Sequence, residues 1–330
     1  MLTPGPAKGI IGCDAVRQIE DGPYDGTPLM VGDGPGGKVG NLPTVPNDGS
    51  GANWGAVRLL DYALAQTAYA LSDSRLWLPG QPMALDLKTA PLGEIGKLGL
   101  VHRDITGPPP RGPFTKTTSS PTATYPALWN HNAASETRMV CAPDSQLSVR
   151  QGMEAKAAEV WATASRAHVN LDFTFGSQPP AAAFTERNSM GGRIWPNVIF
   201  DNEKFDAVFT VWSNSTLGLL SYWWHASRQQ SSKAGITIRS AETLPVLDFR
   251  ALSDAQLHTA QAIFDEFREL DLKPAYLADA DANRALLDRR VMCDLLGFDA
   301  VTYDAVRRLA AKWCAEPSVH GGKKRPAGAG

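Results

Sequence analysis

Apolar side chains recur at two different spacings in the second half of the chain, and these spacings predict its helices and strands. A helix is predicted over about 150–168, where apolar residues share one helical face. Alternation of apolar and polar residues from Val169 to Phe175 predicts a half-buried strand. A second strand is expected over 193–200, with Pro196 at an edge or bulge because proline cannot donate a ladder hydrogen bond.

The pattern next predicts a long apolar helix and two short strands. Aromatic and aliphatic residues from Phe205 to Trp223 recur at helical spacing, which indicates one continuous helix over about 203–227. Segments 235–239 and 244–247 are predicted to be short strands. A histidine near the end of such a helix commonly caps carbonyls, so we expect His225 to have that structural role.

Capping signals delimit the helices of the C-terminal region. Ser253 and Gln256 have the spacing of a capping box, which predicts the start of an amphipathic helix. A further helix over about 286–296 is expected to end at Gly297, and another is predicted over 301–313. The C-terminal region is therefore expected to be helical.

Glycine and proline are concentrated in the N-terminal third. Residues 1–128 contain 19 Gly and 16 Pro, whereas residues 129–330 contain 19 of the two together. Such a composition favours turns and loops over long elements. One core helix is predicted there, from an N-cap at Asn53 to about Leu71. The Ser/Thr/Pro tract 115–124 marks a boundary.

These elements predict an α+β fold. We expect a small mixed sheet with packed helices, a helical C-terminal element and a loop-rich N-terminal segment. The expected parts are a Gly/Pro-rich segment with one core helix, an α+β domain, a helical element and a basic disordered tail, over residues 1–124, 125–250, 251–316 and 317–330.

Charge and cysteine content exclude several classes. Lys plus Arg (32) nearly cancels Asp plus Glu (34), so a nucleic-acid surface would have to be a local patch. The four cysteines form no C-x-x-C pair, which argues against a zinc site or redox dithiol and fits a reducing cytoplasm. The chain has neither a signal-peptide pattern nor an apolar run of membrane-spanning length, so we expect no membrane association.

No catalytic motif is convincing. Residues 32–38 have the glycine spacing of a phosphate-binding loop, but Val39 replaces the required Ser or Thr and Pro43 prevents the helix that should follow. A glycine-rich surface loop is the better interpretation. Cys314 and His320 could form a thiol and a base, although a helix-end cysteine beside a mobile histidine explains them as well. A composite active site assembled from distant residues stays open as an alternative.

Several short motifs in the second half occur in a distinctive order. Gly192-Arg193-Ile194-Trp195-Pro196-Asn197 is followed by Trp212-Ser213-Asn214-Ser215-Thr216-Leu217-Gly218-Leu219-Leu220, and then by Leu244-Pro245-Val246-Leu247 and a capped helix. Over roughly residues 125–325 this order resembles the C-terminal target-recognition region of large bacterial adenine-specific DNA methyltransferases of restriction-modification and phage-defence systems.

The resemblance implies a recognition portion without its catalytic domain. In that family an upstream domain binds S-adenosylmethionine and carries an Asn/Asp-Pro-Pro-aromatic tetrapeptide, which acts on a flipped adenine. No such tetrapeptide occurs here, since the Pro-Pro steps follow Gly107 and Gln178. We therefore expect no cofactor in this chain, no catalysis by it alone, and a truncated product or separate subunit that works with a catalytic partner.

One segment has the residue types for contacting duplex DNA. No acidic residue lies between Asp206 and Glu242, and this segment contains Arg228, Lys233 and Arg239. Cations there would meet phosphates. Arg pairs with guanine and Gln with adenine in the major groove, and hydroxyls suit phosphates. The expected base-reading and phosphate contacts in the loop between these basic residues are Gln229, Gln230, Ser231 and Ser232, with Arg228.

A second contact is expected from Arg193 and Asn197, on the strand beside a core Trp195. A solvated turn would show the same charges, and the resemblance is what favours DNA. The stretch 242–299 has twelve acidic against six basic residues, so it is expected to face away from phosphate.

An interaction module is the alternative from another functional class. It would dock onto a methyltransferase, nuclease or helicase subunit of a defence system through an aromatic face of Trp212, Trp223 and Trp224. Large exposed apolar patches mark such interfaces. Exposed tryptophans would therefore favour a protein partner, and buried ones would favour DNA.

Overall fold

The described part of the chain covers most of its length. A computed structural model describes residues 30–32, 39–41, 61–81, 83–117, 125–130, 132, 135–226, 228–230 and 232–324, with 30–32, 39–41 and 228–230 described as backbone. The predicted N-cap Asn53, most of the glycine-rich loop 32–38, and Ser231 lie outside these residues.

Helices and strands alternate irregularly along the chain. The strands are β1 Met30–Gly32, β2 Val39–Asn41, β3 Arg75–Leu76, β4 Leu85–Asp86, β5 Thr89–Pro91, β6 Gly96–Leu98, β7 Phe114–Thr117, β8 Tyr125–Leu128, β9 Ser145–Val149, β10 Ser165–Val169, β11 Asp172–Thr174, β12 Ala182–Gly191, β13 Asn197–Phe200, β14 Arg228–Gln230, β15 Lys233–Gly235 and β16 Pro245–Leu247. The α-helices are α1 Tyr62–Ser72, α2 Leu92–Ile95, α3 His102–Thr106, α4 Glu154–Trp161, α5 Lys204–Asn214, α6 Thr216–His225, α7 Ile238–Glu242, α8 Asp254–Phe267, α9 Ala282–Arg289, α10 Ala300–Cys314 and α11 Pro317–His320. Short 3₁₀ turns cover Phe249–Ala251 and Ala275–Ala280, and a π-helical turn covers Arg290–Leu295.

The main sheet is mixed, which confirms the predicted α+β class. Its order is β6-β13-β10-β12-β8-β9-β7, with β12 and β8 parallel and the other pairs antiparallel. It is larger than expected because β6 and β7 join it from before residue 125. The domain boundary at that residue stays a prediction, and strands from both sides of it share this sheet.

Strand β12 begins in the interior because both of its faces are covered. Ala182 and Phe184 belong to the largest hydrophobic core, whereas Ala183 packs in a separate cluster with Trp195. Alternate residues of a strand point to opposite faces, so these two clusters lie on opposite sides of the sheet. The larger core extends from Leu64 on α1 to Val319 on α11.

The predicted helix over 203–227 is two helices. Ser215 has an extended backbone (φ −72°, ψ 165°), and its hydroxyl accepts a hydrogen bond from Gly218 N at 3.2 Å. Ser215 therefore ends α5 and caps α6. Periodicity missed the break because apolar residues continue on both sides of it, and both helices are almost entirely buried.

A buried charge network joins this break to the C-terminal helices. Asp288, 1% exposed, accepts hydrogen bonds from Thr216 N at 2.7 Å and from the Arg307 guanidinium at 2.6 Å. The Arg284 guanidinium, fully buried, donates to the Asn214 and Pro179 carbonyls. Buried charges need such partners because desolvation is costly.

Two predicted elements are shorter than their patterns suggested. Helix α4 stops at Trp161, and residues 165–168, assigned to that helix from the sequence, form β10 together with Val169 between β12 and β13. The predicted strand over 193–200 begins only at Asn197, after the non-donating Pro196.

A third predicted strand, over 235–239, is replaced after Gly235. Thr237 Oγ1 accepts a hydrogen bond from Ser240 N at 3.0 Å and so caps the short helix α7.

The C-terminal predictions are confirmed in their caps and extended at the end. The capping box of Ser253 and Gln256 opens α8, and Gly297 has a φ of +74° after the π-helical turn. Residues 317–324, expected to be disordered, include α11, where Val319 is buried. Lys323 there lies 5.5 Å from the ring centre of Tyr276. None of the described helices combines the length and apolar character that crossing a membrane requires.

The tight turn between α5 and α6 gives a stability prediction. A Cβ added to Gly218 would lie 2.1 Å from Trp212 O and 2.8 Å from Ser213 Cα. Gly218→Ala should therefore lower the free energy of unfolding by more than about 2 kcal/mol, although Ala normally stabilises a helix interior by about 1 kcal/mol. Urea unfolding of the purified chain measures it.

The matched control is Gly152→Ala. Gly152 has a φ of +75° with no atom within 4 Å of an added Cβ. The Gly152→Ala substitution should therefore lower the free energy of unfolding only by the backbone strain, about 1 kcal/mol. A Gly218→Ala chain at least as stable as the Gly152→Ala chain would contradict the close approach.

Candidate nucleic-acid interface

The expected DNA-contacting loop is a β-hairpin. Strand β14 pairs antiparallel with β15, with Arg228 opposite Gly235 and Gln230 opposite Lys233. Strand β15 pairs in turn with β11, so β14 is an outer strand of a three-stranded sheet. Side chains of Arg228, Gln229 and Gln230 lie outside the described part of the structure, and their proposed base contacts stay predictions.

Ser232, expected to contact phosphate, packs against neighbouring segments. Its carbonyl accepts a hydrogen bond from Phe175 N at 2.8 Å. A Cβ added at Gly176 would lie 2.6 Å from Ser232 Oγ, and one at Gly321 would lie 2.8 Å from it. The two glycines therefore approach the hydroxyl closely, which gives Ser232 a packing role in this conformation.

Two predicted contact residues from separate segments meet at one cleft. Arg193 follows β12 and Lys233 opens β15, and both line a cleft of about 480 Å³. The remaining lining residues come from the start of α3, from β11 and its approach, from the segment after β12, and from β15 to α7: Val101, His102, Leu171, Asp172, Gly192, Ile194, Gly235, Ile236, Thr237 and Ile238. The sequence did not indicate this cleft.

The surroundings of the cleft are electropositive. The pKa of His102 is lowered, first by burial and then by the positive charges of Arg193, Arg103 and Arg111. Arg111 is paired with Asp104 at 2.6 Å. Arg193 and Arg103 are exposed, and neither forms an ion pair with a residue that the structure describes. Uncompensated guanidinium groups at one cleft favour an anionic ligand.

Lys233 differs from the two free arginines because it has a partner. Its ammonium nitrogen lies 3.0 Å from Asp172 Oδ2, with the side chains 55% and 42% exposed. A pair this exposed adds little stability. It does neutralise the Asp172 carboxylate at the cleft, which would otherwise repel an anion.

Arg239 lies beside the cleft on α7. It is exposed, follows the cleft residue Ile238, and is in no ion pair within the described ranges. The short helix is held from beneath, since His225 Nε2 donates to Ser240 O at 2.7 Å. His225 is thus structural, as expected, although it holds α7 and not the end of its own helix. Burial chiefly lowers its pKa.

A network of hydrogen bonds fixes the segment that carries Arg193. Leu171 N donates to Ile194 O at 2.8 Å, and Val169 N donates to Pro196 O at 3.1 Å. Between them, His168 Nδ1 donates to Trp195 O at 3.0 Å. The backbone on the C-terminal side of Arg193 is therefore anchored to β10 and to Leu171, which lies between β10 and β11, so Arg193 projects from a fixed segment.

Asn197 has no surface for a DNA contact. The residue is 1% exposed, and its amide nitrogen donates to Ser189 O at 2.7 Å and Ser165 Oγ at 3.1 Å. Its amide oxygen accepts from Gly191 N at 2.5 Å. These bonds link β13 to β10 and β12 and occupy the whole amide. The prediction of Asn197 as a DNA-contact residue is therefore wrong. Trp195 is buried core, as expected.

The aromatic face of the alternative hypothesis is interior. Trp212 and Trp223 are each 1% exposed, and Trp223 Nε1 donates to Ser318 Oγ at 3.0 Å. Trp224 is partly buried against the same core. These tryptophans therefore do not form an exposed docking surface, and the proposed protein-binding face is wrong.

The described residues give little support to a composite active site. His168 Nε2 lies 2.9 Å from Ser189 Oγ, but the ring is fully buried and its other nitrogen bonds a carbonyl instead of a carboxylate. Burial raises the pKa of Cys314 to about 12, so this thiol stays protonated at neutral pH. Among the residues described, no three His, Cys, Asp or Glu side chains group as metal ligands.

Two candidate residues that sequence reasoning missed lie in the N-terminal third. His102 and Arg103 belong to α3, which the glycine- and proline-rich composition concealed. Two adjacent basic residues before the Gly107-Pro108-Pro109-Pro110 turn were the available signal. Those two residues indicate a binding site only once the fold brings the start of α3 and β15 to the same cleft.

Comparisons with known proteins place the chain in no family. No family model matches it, and no curated protein matches it. Similar solved structures include the type IIG restriction endonuclease BpuSI (11% identity, TM-score 0.43, 60% of this chain and 27% of that chain covered). Another is the HsdS subunit from Thermoanaerobacter tengcongensis (13% identity, TM-score 0.33, 78% of this chain and 50% of that chain covered). The chain thus spans at most half of either protein, and TM-scores below 0.5 do not establish a common fold.

Buried His168 generates a pH prediction. Burial lowers the pKa of His168 to about 4 in the folded chain, against 6.5 for an exposed histidine. Below pH 6.5 His168 is therefore protonated in the unfolded chain but stays neutral in the folded chain. The free energy of unfolding then decreases as the pH is lowered. Between about pH 7.5 and about pH 5 this histidine alone should remove about 2 kcal/mol.

The test compares the wild type with His168→Asn, which retains a donor for Trp195 O. Asp206 acts in the opposite direction, because burial raises its pKa to about 6, but it is present in both chains and cancels. Urea unfolding at the two pH values should show the stability gap between the chains shrinking by about 2 kcal/mol at the lower pH. A gap that does not change with pH would contradict a buried neutral ring.

Proposed function

We propose that this chain binds duplex DNA sequence-specifically as the target-recognition portion of a DNA-modification or phage-defence methyltransferase, and does not catalyse alone. The observation that carries the proposal is the cleft where Arg193 and Lys233, predicted from separate segments, meet beside His102. The free cations Arg103 and Arg239 flank it.

The outer strand β14 supplies the residue types that groove reading requires. In the major groove arginine and glutamine distinguish base pairs, and β14 is the edge strand of its three-stranded sheet that is available for such a contact. Strand β14 consists of Arg228, Gln229 and Gln230, and β15 begins with Lys233 at the cleft. In this proposal β14 reads bases, with Ser231 near phosphates, while Arg193 and Arg239 hold the adjacent backbone.

The motif resemblance supports the biological setting. It implies that S-adenosylmethionine and the methyl-transfer chemistry belong to a separate catalytic domain or subunit, with which this chain would act. The burial of Trp212 and Trp223 removes the main reason for a purely protein-binding role. The acidic stretch 242–299 would brace the recognition region on the side away from phosphate.

The salt dependence of binding tests the proposal. Each lost phosphate contact should reduce the slope of log affinity against log salt by about 0.9. The double variant Arg193→Ala, Arg239→Ala should therefore bind a random duplex with a slope shallower by about 2 than the wild type. Fluorescence anisotropy over a salt series at constant pH provides the slopes.

The control removes two exposed arginines from the C-terminal helices. Arg289→Ala, Arg308→Ala changes the net charge equally, and both residues are exposed and in no described ion pair. Its slope should equal that of the wild type. Equal flattening in the two double variants, or no binding by the wild type at low salt, would refute the proposed surface.

A further inference from the structure

The cleft beside the hairpin has cations for the DNA backbone, but its concave shape does not suit reading base edges within a duplex. Base edges in the major groove are read by elements that protrude into it, such as a helix or a ribbon. A concavity of about 480 Å³ instead matches pockets for single small ligands, which measure about 300–1,000 Å³. The outer strand β14 therefore suits base edges within a duplex, and the cleft suits a single nucleotide.

The walls of the cleft combine apolar faces with a cationic rim. Leu171 and Ile194 are partly exposed and provide aliphatic surface, with the buried Ile236 beside them. Arg193 supplies positive charge there, whereas the charge of Lys233 is offset by Asp172. A planar, partly apolar group attached to a phosphate has this combination of properties, and a nucleotide is such a group.

Polar atoms are also present for the edge of a base. The Asp172 carboxylate lines the cleft and can accept a hydrogen bond from a ring or amino N–H, and the Lys233 ammonium 3.0 Å away offsets its charge. Because Asp172 lies on β11 and Lys233 on β15, the pair belongs to the sheet whose outer strand is β14.

The cleft is built from rigid parts. Ile236 N donates to Leu171 O at 3.0 Å, and Leu171 N donates to Ile194 O at 2.8 Å, which joins three lining segments directly. Such a pocket loses little conformational freedom when it is filled.

We propose that this cleft binds one extrahelical deoxynucleotide of the bound DNA, with its base between the aliphatic walls and its phosphate at Arg193. The inference rests on the proposed function, because β14 and the cations beside it must first place the duplex against the cleft. Extruding a paired base is costly, and the cost is least for a base that is already unpaired. A duplex with an unpaired nucleotide should therefore bind more tightly than a fully paired one.

The experiment compares three duplexes of equal length at one salt concentration. One is fully paired, one has a single unpaired nucleotide, and one has an abasic residue at that position. The full chain should bind the second about tenfold more tightly than the first, and the abasic duplex should bind like the paired one. The abasic duplex separates recognition of a base from recognition of a flexible phosphate.

A cleft-filling variant locates the effect. Ile238→Trp should abolish the preference for the unpaired nucleotide, since Ile238 lines the cleft and is partly exposed. Val301→Trp, at a residue 67% exposed outside the cleft, should retain the preference. As a readout that needs no variant, 2-aminopurine at the unpaired position should become shielded from acrylamide quenching in the complex.

The outcomes separate the two proposals. Equal affinity for all three duplexes would overturn the nucleotide site and leave the recognition function intact. Equal tightening by the abasic duplex, or 2-aminopurine that stays accessible to acrylamide, would also overturn it. No binding of any duplex by the wild type would overturn the recognition function and the nucleotide site together.

Discussion

The architecture depends on hydrogen-bond partners for the polar backbone groups at one buried break between two helices. Helices α5 and α6 are interior, and the chain turns between them at Asn214, Ser215 and Thr216, which are at most 2% exposed. Polar backbone groups at such a place need partners, because leaving one unpaired costs about 1–3 kcal/mol. Asp288 supplies an acceptor for the start of α6, and the Arg284 guanidinium supplies a donor for the end of α5.

The same break connects the sheet to the C-terminal helices. The Asn214 side chain donates to Ala182 O and accepts from Ala181 N, both at 2.8 Å, at the start of β12. Arg307 completes the network by bonding Asp288 and the Ala278 carbonyl. Removing one member of a buried charge group leaves another without compensation. This explains why the acidic C-terminal stretch is part of the core assembly and not a separate attachment.

Local signals determined what could be predicted from the sequence. The capping box at Ser253 and the glycine at 297 are chemical signals contained within a few residues, and both were confirmed. The break at Ser215 also has a capping residue, but continuous apolar periodicity concealed it, because both helices are buried on all sides. Most of strand β10, residues 165–168, was assigned to a helix since its neighbours β12 and β13 come later in the chain. Only pairing with them makes residues 165–169 extended.

The candidate site, too, depends on contacts between distant segments that local sequence signals do not contain. Arg193 and Lys233 were predicted from their charge, whereas a cleft exists only once α3, β11, β15 and α7 are adjacent. Asn197 was misassigned because an amide in a strand looks the same in sequence whether it faces solvent or bonds four backbone and side-chain atoms, as it does here. The polar residues around Arg193 in the fold therefore have two different roles. Asn197 and His168 hold the Arg193 segment in place, and Arg193 itself remains free to meet an anion.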